Sequence, residues 1–301
     1  MPKINPYFAL LIGVLAVSTS AIIVKLASAP AAITAAYRLL FTVILMLPVI
    51  ILKYHHELSN INKKDWLYSA LAGVFLSFHF ILWFESLNYT SVASSVVLVT
   101  LQPIFAFAGT FLFFQERLRL SAILSGCLAI GGSILISWGD FRLSGAALFG
   151  DILALGGAVM VTAYFLIGQN IRKRLSLMTY TFLVYSFSSF TLILYSVYNG
   201  YAFFSYPLKT WSYFLLLAIV PTLLGHTLFN WTLRWLSTSV ISMSILFEPV
   251  GASILAYYIF GERLVWTQWI GGFLVLLGMF LFLLFNRQPS VSSPAKRARS
   301  L

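Results

Sequence analysis

Residues 87–132 read LNYTSVASSVVLVTLQPIFAFAGTFLFFQERLRLSAILSGCLAIGG, and residues 233–278 read LRWLSTSVISMSILFEPVGASILAYYIFGERLVWTQWIGGFLVLLG. Aligned without a gap, Leu87 falls on Leu233, Ser91 on Ser237 and Pro103 on Pro249. Glu116-Arg117-Leu118 falls on Glu262-Arg263-Leu264, and Gly126 and Gly132 fall on Gly272 and Gly278. Both copies are apolar enough to lie in a bilayer. The chain therefore reads as an all-α integral membrane protein made of two related halves.

Composition agrees. Of 301 residues 60% are hydrophobic and 9% charged, against roughly 25% charged in a soluble domain. A span needs about 20 mostly apolar residues, and ten fit: 6–27, 31–52, 66–88, 90–114, 119–138, 149–170, 177–198, 210–233, 237–260 and 263–285. Ala27-Ser28-Ala29 resembles a signal-peptide cleavage site. Pro30 would follow the cut, however, and Lys25 interrupts the apolar run, so the segment is kept as span one. The aromatic share of 17% suits the two interfaces. A net charge of +11 would suggest nucleic acid in a soluble protein. Here the basic residues lie between apolar segments, so the expected partners are the lipid bilayer and a small-molecule substrate, with no nucleic acid. Cys127 is the one cysteine, which excludes a disulfide framework and a Cys-based metal site; no cofactor is expected.

Orientation follows from Lys and Arg. With the N-terminus in the cytoplasm, Arg142, Lys209 and Arg263 fall outside, Lys25 and Arg38 fall within spans, and the other fourteen of nineteen fall inside. Both termini are then cytoplasmic, in a multi-pass protein of the cell membrane. Five spans per half is an odd number, so the second half enters from the opposite side: an inverted-topology repeat. The expected organisation is a first repeat over 1–138, an external connector over 139–148, a second repeat over 149–286 and a disordered basic tail over 287–301.

Pro103 and Pro249 lie near mid-span, where each removes a ladder hydrogen bond and frees the carbonyl four residues earlier, at Val99 and Ile245. Each alone is an ordinary kink. As a matched pair they act as hinges that point to a central site. Pro221 in span eight has no counterpart in span three, where Phe75 aligns. The Glu-Arg-Leu turns read as structural, each carboxylate favouring the exposed amides at the start of the next helix. The glycines after them mark close packing of spans five and ten or a homodimer face. Intramembrane polar residues are costly and usually face a cavity or a partner. The candidates are His79 with Trp83 one turn on, His226 with Asn230 on the same face, and Gln102, which aligns with Glu248 directly before each proline. His79, His226 and Gln102 serve equally as satisfied packing groups. Glu248 needs a partner or a proton, which favours a cavity-lining, proton-exchanging role. Glu85 is either the outermost member of the group or reaches the interface. Lys25 and Arg38 are expected to snorkel outward, with Arg38 a lesser candidate for attracting anionic substrates.

In these features the chain resembles the EamA family of the drug/metabolite transporter superfamily: two halves of five spans, the Leu87–Ser91 entry, the mid-span prolines, and the Glu-Arg-Leu turns with trailing glycines. The resemblance covers about residues 6–285. It implies ten helices around a central cavity and alternating access, often in the direction of export, for amino acids, other metabolites or toxic compounds. It carries no universal binding signature, so the site residues above rest on intramembrane polarity alone. Arg38 departs from the duplication, having Thr181 or Phe182 opposite it in span seven. An intramembrane enzyme is disfavoured because the chain has no H-E-x-x-H, no G-x-S-x-G and no Gly-rich phosphate loop. A channel or a membrane scaffold is the remaining alternative.

Overall fold

The structure is a computed structural model that describes residues 4–90, 92–136, 138, 145–261 and 265–285. Ser91, the Glu262–Leu264 turn, most of the connector and the tail from 286 lie outside the described residues. Among the described residues nine helices are long and apolar enough to cross a membrane. They are α1 (Pro6–Ala27), α2 (Ala31–Ser59), α3 (Lys63–Ser86), α4 (Ser94–Phe114), α6 (Gly145–Ile171), α7 (Leu177–Tyr198), α8 (Leu208–Thr232), α9 (Thr238–Phe260) and α10 (Trp266–Phe285). Between α4 and α6 lies α5 (Leu120–Ile136), apolar but shorter.

The prolines do more than kink their helices. The first half of α4 ends at Val99 and a new helix starts at Gln102. In α9 the first half ends at Ile245 and a new helix starts at Glu248. The ladder resumes beyond each break with Ile104 N–H donating to Leu101 and Val250 N–H to Phe247. Both second halves also end alike, on left-handed residues at aligned positions. Gln115 has φ 55° and Gly261 φ 68°. At the first of these the Gln115 and Glu116 amides cap Phe111 and Thr110 carbonyls. α8 is interrupted differently, by a π-helical stretch over Ala218–His226 that contains Pro221, whereas α3 runs unbroken. A second π-helical turn, Ile50–Tyr54, follows Pro48 in α2. α1 has a turn at Ser18-Thr19, whose hydroxyls donate to the Val14 and Ala16 carbonyls.

Packing repeats the duplication. α3 packs on α6 and α7; in the other half α8 packs on α1 and α2. α4 packs on α6 as α9 does on α1, while α2 and α7, α4 and α9, and α5 and α10 pair with their own counterparts. Lipid supplies no hydrophobic drive between helices, so close contact and hydrogen bonds hold them. α5 and α10 approach backbone to backbone. A Cβ on Gly132 would lie 2.7 Å from the Gly271 carbonyl, and one on Gly278 would lie 2.6 Å from the Ala129 amide. These glycines are thus used inside the chain, joining its halves, while Gly131 has nothing within 4 Å.

The Glu116 turn differs from expectation. Its carboxylate does not cap the next helix, which starts at Leu120. It accepts from the Ser237 hydroxyl at 2.8 Å, at the start of α9. Burial raises the Glu116 carboxyl above its ordinary range, and the Ser237 hydrogen bond acts in the opposite direction.

Two outcomes are expected. Gly278→Val should lower the thermal unfolding midpoint in detergent, since overpacking costs about 1–3 kcal/mol or more, and Gly131→Ala should leave it unchanged. For Glu116 the folded carboxyl holds its proton more tightly than the unfolded one. Its contribution is therefore fully present at low pH and lost as pH rises through the folded value. Glu116→Gln should match the natural chain near pH 4 and exceed it in stability near pH 8, read from unfolding curves at both.

Candidate functional site

The two helix breaks meet at one place. Gln102 and Glu248, the first residues of the second half-helices, line a common cavity with Val99 and Ile245, the last residues of the first halves. α3 adds His79 and Trp83, α8 adds His226, and α1 and α6 close the walls with Val17, Ser20, Val161 and Phe165. The volume is about 20 Å³, room for a water or so. A larger space of about 430 Å³ lies between α3, α4 and α6, but its wall is apolar apart from Asn170 and Tyr68. The small cavity is the better candidate because orphaned polar atoms converge on it.

Among the described residues, four side chains in its wall carry a buried polar atom without a hydrogen-bond partner: Trp83 Nε1, Gln102 Oε1, His226 Nδ1 and Glu248 Oε1. One is a donor, two are acceptors, and the imidazole nitrogen takes either role by tautomer. A buried polar atom without a partner costs about 1–3 kcal/mol, so this cluster is expensive unless something fills it. His79 is tied down: its Nδ1 lies 3.0 Å from the Gly157 carbonyl, which fixes the proton on that nitrogen. Its ring stacks on Trp83 with centroids 5.6 Å apart, and His226 stands 6.4 Å away. The half-helix starting at Glu248 directs its positive end at the cavity, which favours a carboxylate in that first turn.

Sequence reasoning misplaced Arg38. It does not snorkel: it is 0% exposed. Its Nε donates to Thr222 in α8 at 2.7 Å and its Nη1 to Ser20 in α1 at 2.9 Å. The guanidinium lies over the Phe80 ring of α3, 4.4 Å from its centroid. Nη2 has no partner. Arg38 thus stands one layer behind the cavity, joining four helices from both halves. Among the described residues no ion pair joins it to Glu248. Lys25 is exposed, as expected, with its Nζ over Phe260.

The structure separates two other candidates from the wall. Asn230 is fully buried one turn beyond His226, and its side-chain amide donates to the Tyr164 hydroxyl and to the His226 carbonyl at 2.8 Å. It belongs to a polar layer with Tyr164 and Tyr185, beside the cavity. Glu85 is half-buried near the end of α3 and does not line the cavity. Below this layer the basic end of the bundle is bolted together. Arg174 pairs with Asp65 at 2.5 Å, Glu57 accepts from the Ser176 amide and the Thr179 hydroxyl, and Arg172 Nε donates to the Asn230 carbonyl at 2.9 Å. At the opposite end Tyr37 donates to the Phe203 carbonyl and Thr210 to the Ala27 carbonyl.

The model of the EamA-like transporter family matches residues 5–138 and again residues 148–284. The chain belongs to the EamA-like transporter family. An Archaeoglobus fulgidus protein named an uncharacterized transporter is 25% identical to this EamA-like chain over 199 residues, 66% of this chain and 70% of the relative. A Bacillus subtilis relative, uncharacterized transporter YxxF, is 29% identical over 224 residues, 74% of this chain and 71% of its own length. A solved crystal structure with 15% identity superposes with a TM-score of 0.77, covering 93% of this chain and 99% of that one. That likeness shows the fold. The chain is a multi-span membrane transporter.

Arg38→Lys keeps the charge but loses the planar fork that reaches two hydroxyls while lying on a ring. Loss of one charge-assisted hydrogen bond costs about 1.5–3 kcal/mol, so a lower unfolding midpoint is expected. An unchanged midpoint would mean that the Ser20 and Thr222 contacts contribute nothing.

Proposed function

We propose that this EamA-like chain is a secondary transporter that moves a small metabolite, amino acid or drug-like compound across the plasma membrane by alternating access, in the direction of export. The site is the cavity between the breaks in α4 and α9, with Glu248 taking up and releasing a proton in each cycle. The observation that carries this reading is the pairing of the breaks. Irregular backbone is tolerated at membrane depth only where it is buried in protein or lines a cavity, and here corresponding interruptions in both halves border the same one. Discontinuous helices meeting at a repeat interface suit a substrate site, with one half moving against the other.

On this reading ten helices span the membrane as two inverted five-helix repeats. α5, 17 residues long, reaches about 26 Å against a hydrocarbon core of about 30 Å, a mismatch that local thinning accommodates. Both termini lie in the cytoplasm because the basic residues concentrate on that side. The Asp65–Arg174 end then faces the cytoplasm. The polar contacts at the two ends are the gates that exchange during transport. Gly132, Gly271 and Gly278 are already used between α5 and α10, so a homodimer would need another face.

The test is reconstitution in proteoliposomes, loading amino acids, other metabolites and cationic drugs in turn, with and without a proton gradient. Saturable counterflow of at least one class is expected, and a non-saturating conductance would overturn the carrier reading. Glu248→Gln should abolish the pH dependence of transport while counterflow persists. Unchanged pH dependence would rule Glu248 out as the coupling group.

A further inference from the structure

The larger space, about 430 Å³ between α3, α4 and α6, plays no part in the transport cavity. Its wall is Phe75 on α3, Phe113 and Phe114 on α4, and Leu166 and Ile167 on α6. It opens to the outside of the bundle, where Phe113 is 74% exposed. On α3 the apolar wall reaches down to Phe75, eleven residues from Lys64, about 16 Å at the helical rise. That depth is half of a hydrocarbon core of about 30 Å, the thickness of one leaflet.

The mouth of the groove is cationic. Lys173, just past the end of α6, holds its Nζ 5.7 Å from the centroid of Phe114. Lys64 lies one turn before Tyr68 on the same face of α3, and both are exposed. Arg174 also reaches the rim, donating to Asn170 Oδ1 at 3.0 Å, but Asp65 neutralises it. Two exposed lysines therefore stand at headgroup level above an apolar slot one leaflet deep.

We propose that this groove is a specific site for one anionic phospholipid, with an acyl tail against Phe75, Phe114 and Leu166 and the headgroup phosphate held between Lys64 and Lys173. The site is separate from the transport cavity and does not depend on what is carried. Because the groove shares α4 and α6 with that cavity, a lipid seated here braces the outer faces of two helices whose inner faces line it.

The experiment uses the full chain, delipidated in detergent and titrated with palmitoyl-oleoyl phosphatidylglycerol or with phosphatidylcholine of the same tails, bound lipid being counted by native mass spectrometry. One saturable phosphatidylglycerol per chain is expected, with phosphatidylcholine much weaker. The double variant Lys64→Gln/Lys173→Gln should bind phosphatidylglycerol about twenty-five-fold less well, about five-fold for each cation. Its lysines are exposed, so its unfolding curve should match the natural chain. Ala163→Phe, which fills the slot, should lower binding of both lipids. If it fails to fold, the lysine pair alone decides. Equal retention of the two lipids, undiminished binding by the lysine variant, full competition by glycerol phosphate without tails, or a dimer that covers the groove would each overturn the proposal.

Discussion

A hydrocarbon interior leaves no backbone group to be satisfied by water, and this chain breaks two helices inside it. That constraint shapes the centre of the molecule. A proline at 103 or 249 cannot donate to the ladder, so each break must lie where protein surrounds it or where a cavity takes over. α4 and α9 meet this by packing on each other, bringing both breaks to one wall. Gln102 and Glu248 then enter that wall from opposite halves, each at the start of a fresh helix. Position is shared, chemistry is not: an amide on one side and a carboxylate on the other.

Arg38 supplies the positive charge near that carboxylate without occupying the cavity itself. Burying a guanidinium is costly unless its donors are used, and here Ser20, Thr222 and the Phe80 face share the task. Among the described residues its Nη2 remains unpartnered, as do atoms of Trp83, Gln102, His226 and Glu248. Such a half-satisfied polar cluster would be a defect in a purely structural core. Apart from Arg38, all of these residues line the cavity between the two breaks. The π-helical stretch of α8 fits this, since it carries both Thr222, which holds Arg38, and His226, which lines the cavity.

Much of this was legible in the sequence because duplication and hydropathy are one-dimensional signals. The helix breaks, the Gln102/Glu248 mismatch and the two histidines all follow from residue types at corresponding places. Contacts between distant segments were not legible. Arg38 lies close enough to a span end to snorkel, and only the arrival of Ser20, Phe80 and Thr222 from three other helices turns it inward. Glu116 bonds Ser237, 121 residues away, where local reasoning gave it the exposed amides at the start of the next helix. Asn230 shares a helical face with His226, yet Tyr164 and Tyr185 draw it into a neighbouring layer.

The exchange of packing partners between halves also bears on how the chain is made. α3 rests mainly on α6 and α7, and α4 on α6 and α9, all from the second half. When only the first half has left the ribosome, the polar faces of α3 and α4 with His79 and Gln102 have no mates. The first five helices cannot complete a core by themselves. Duplication has thus produced two similar halves, each of which completes its packing with helices of the other.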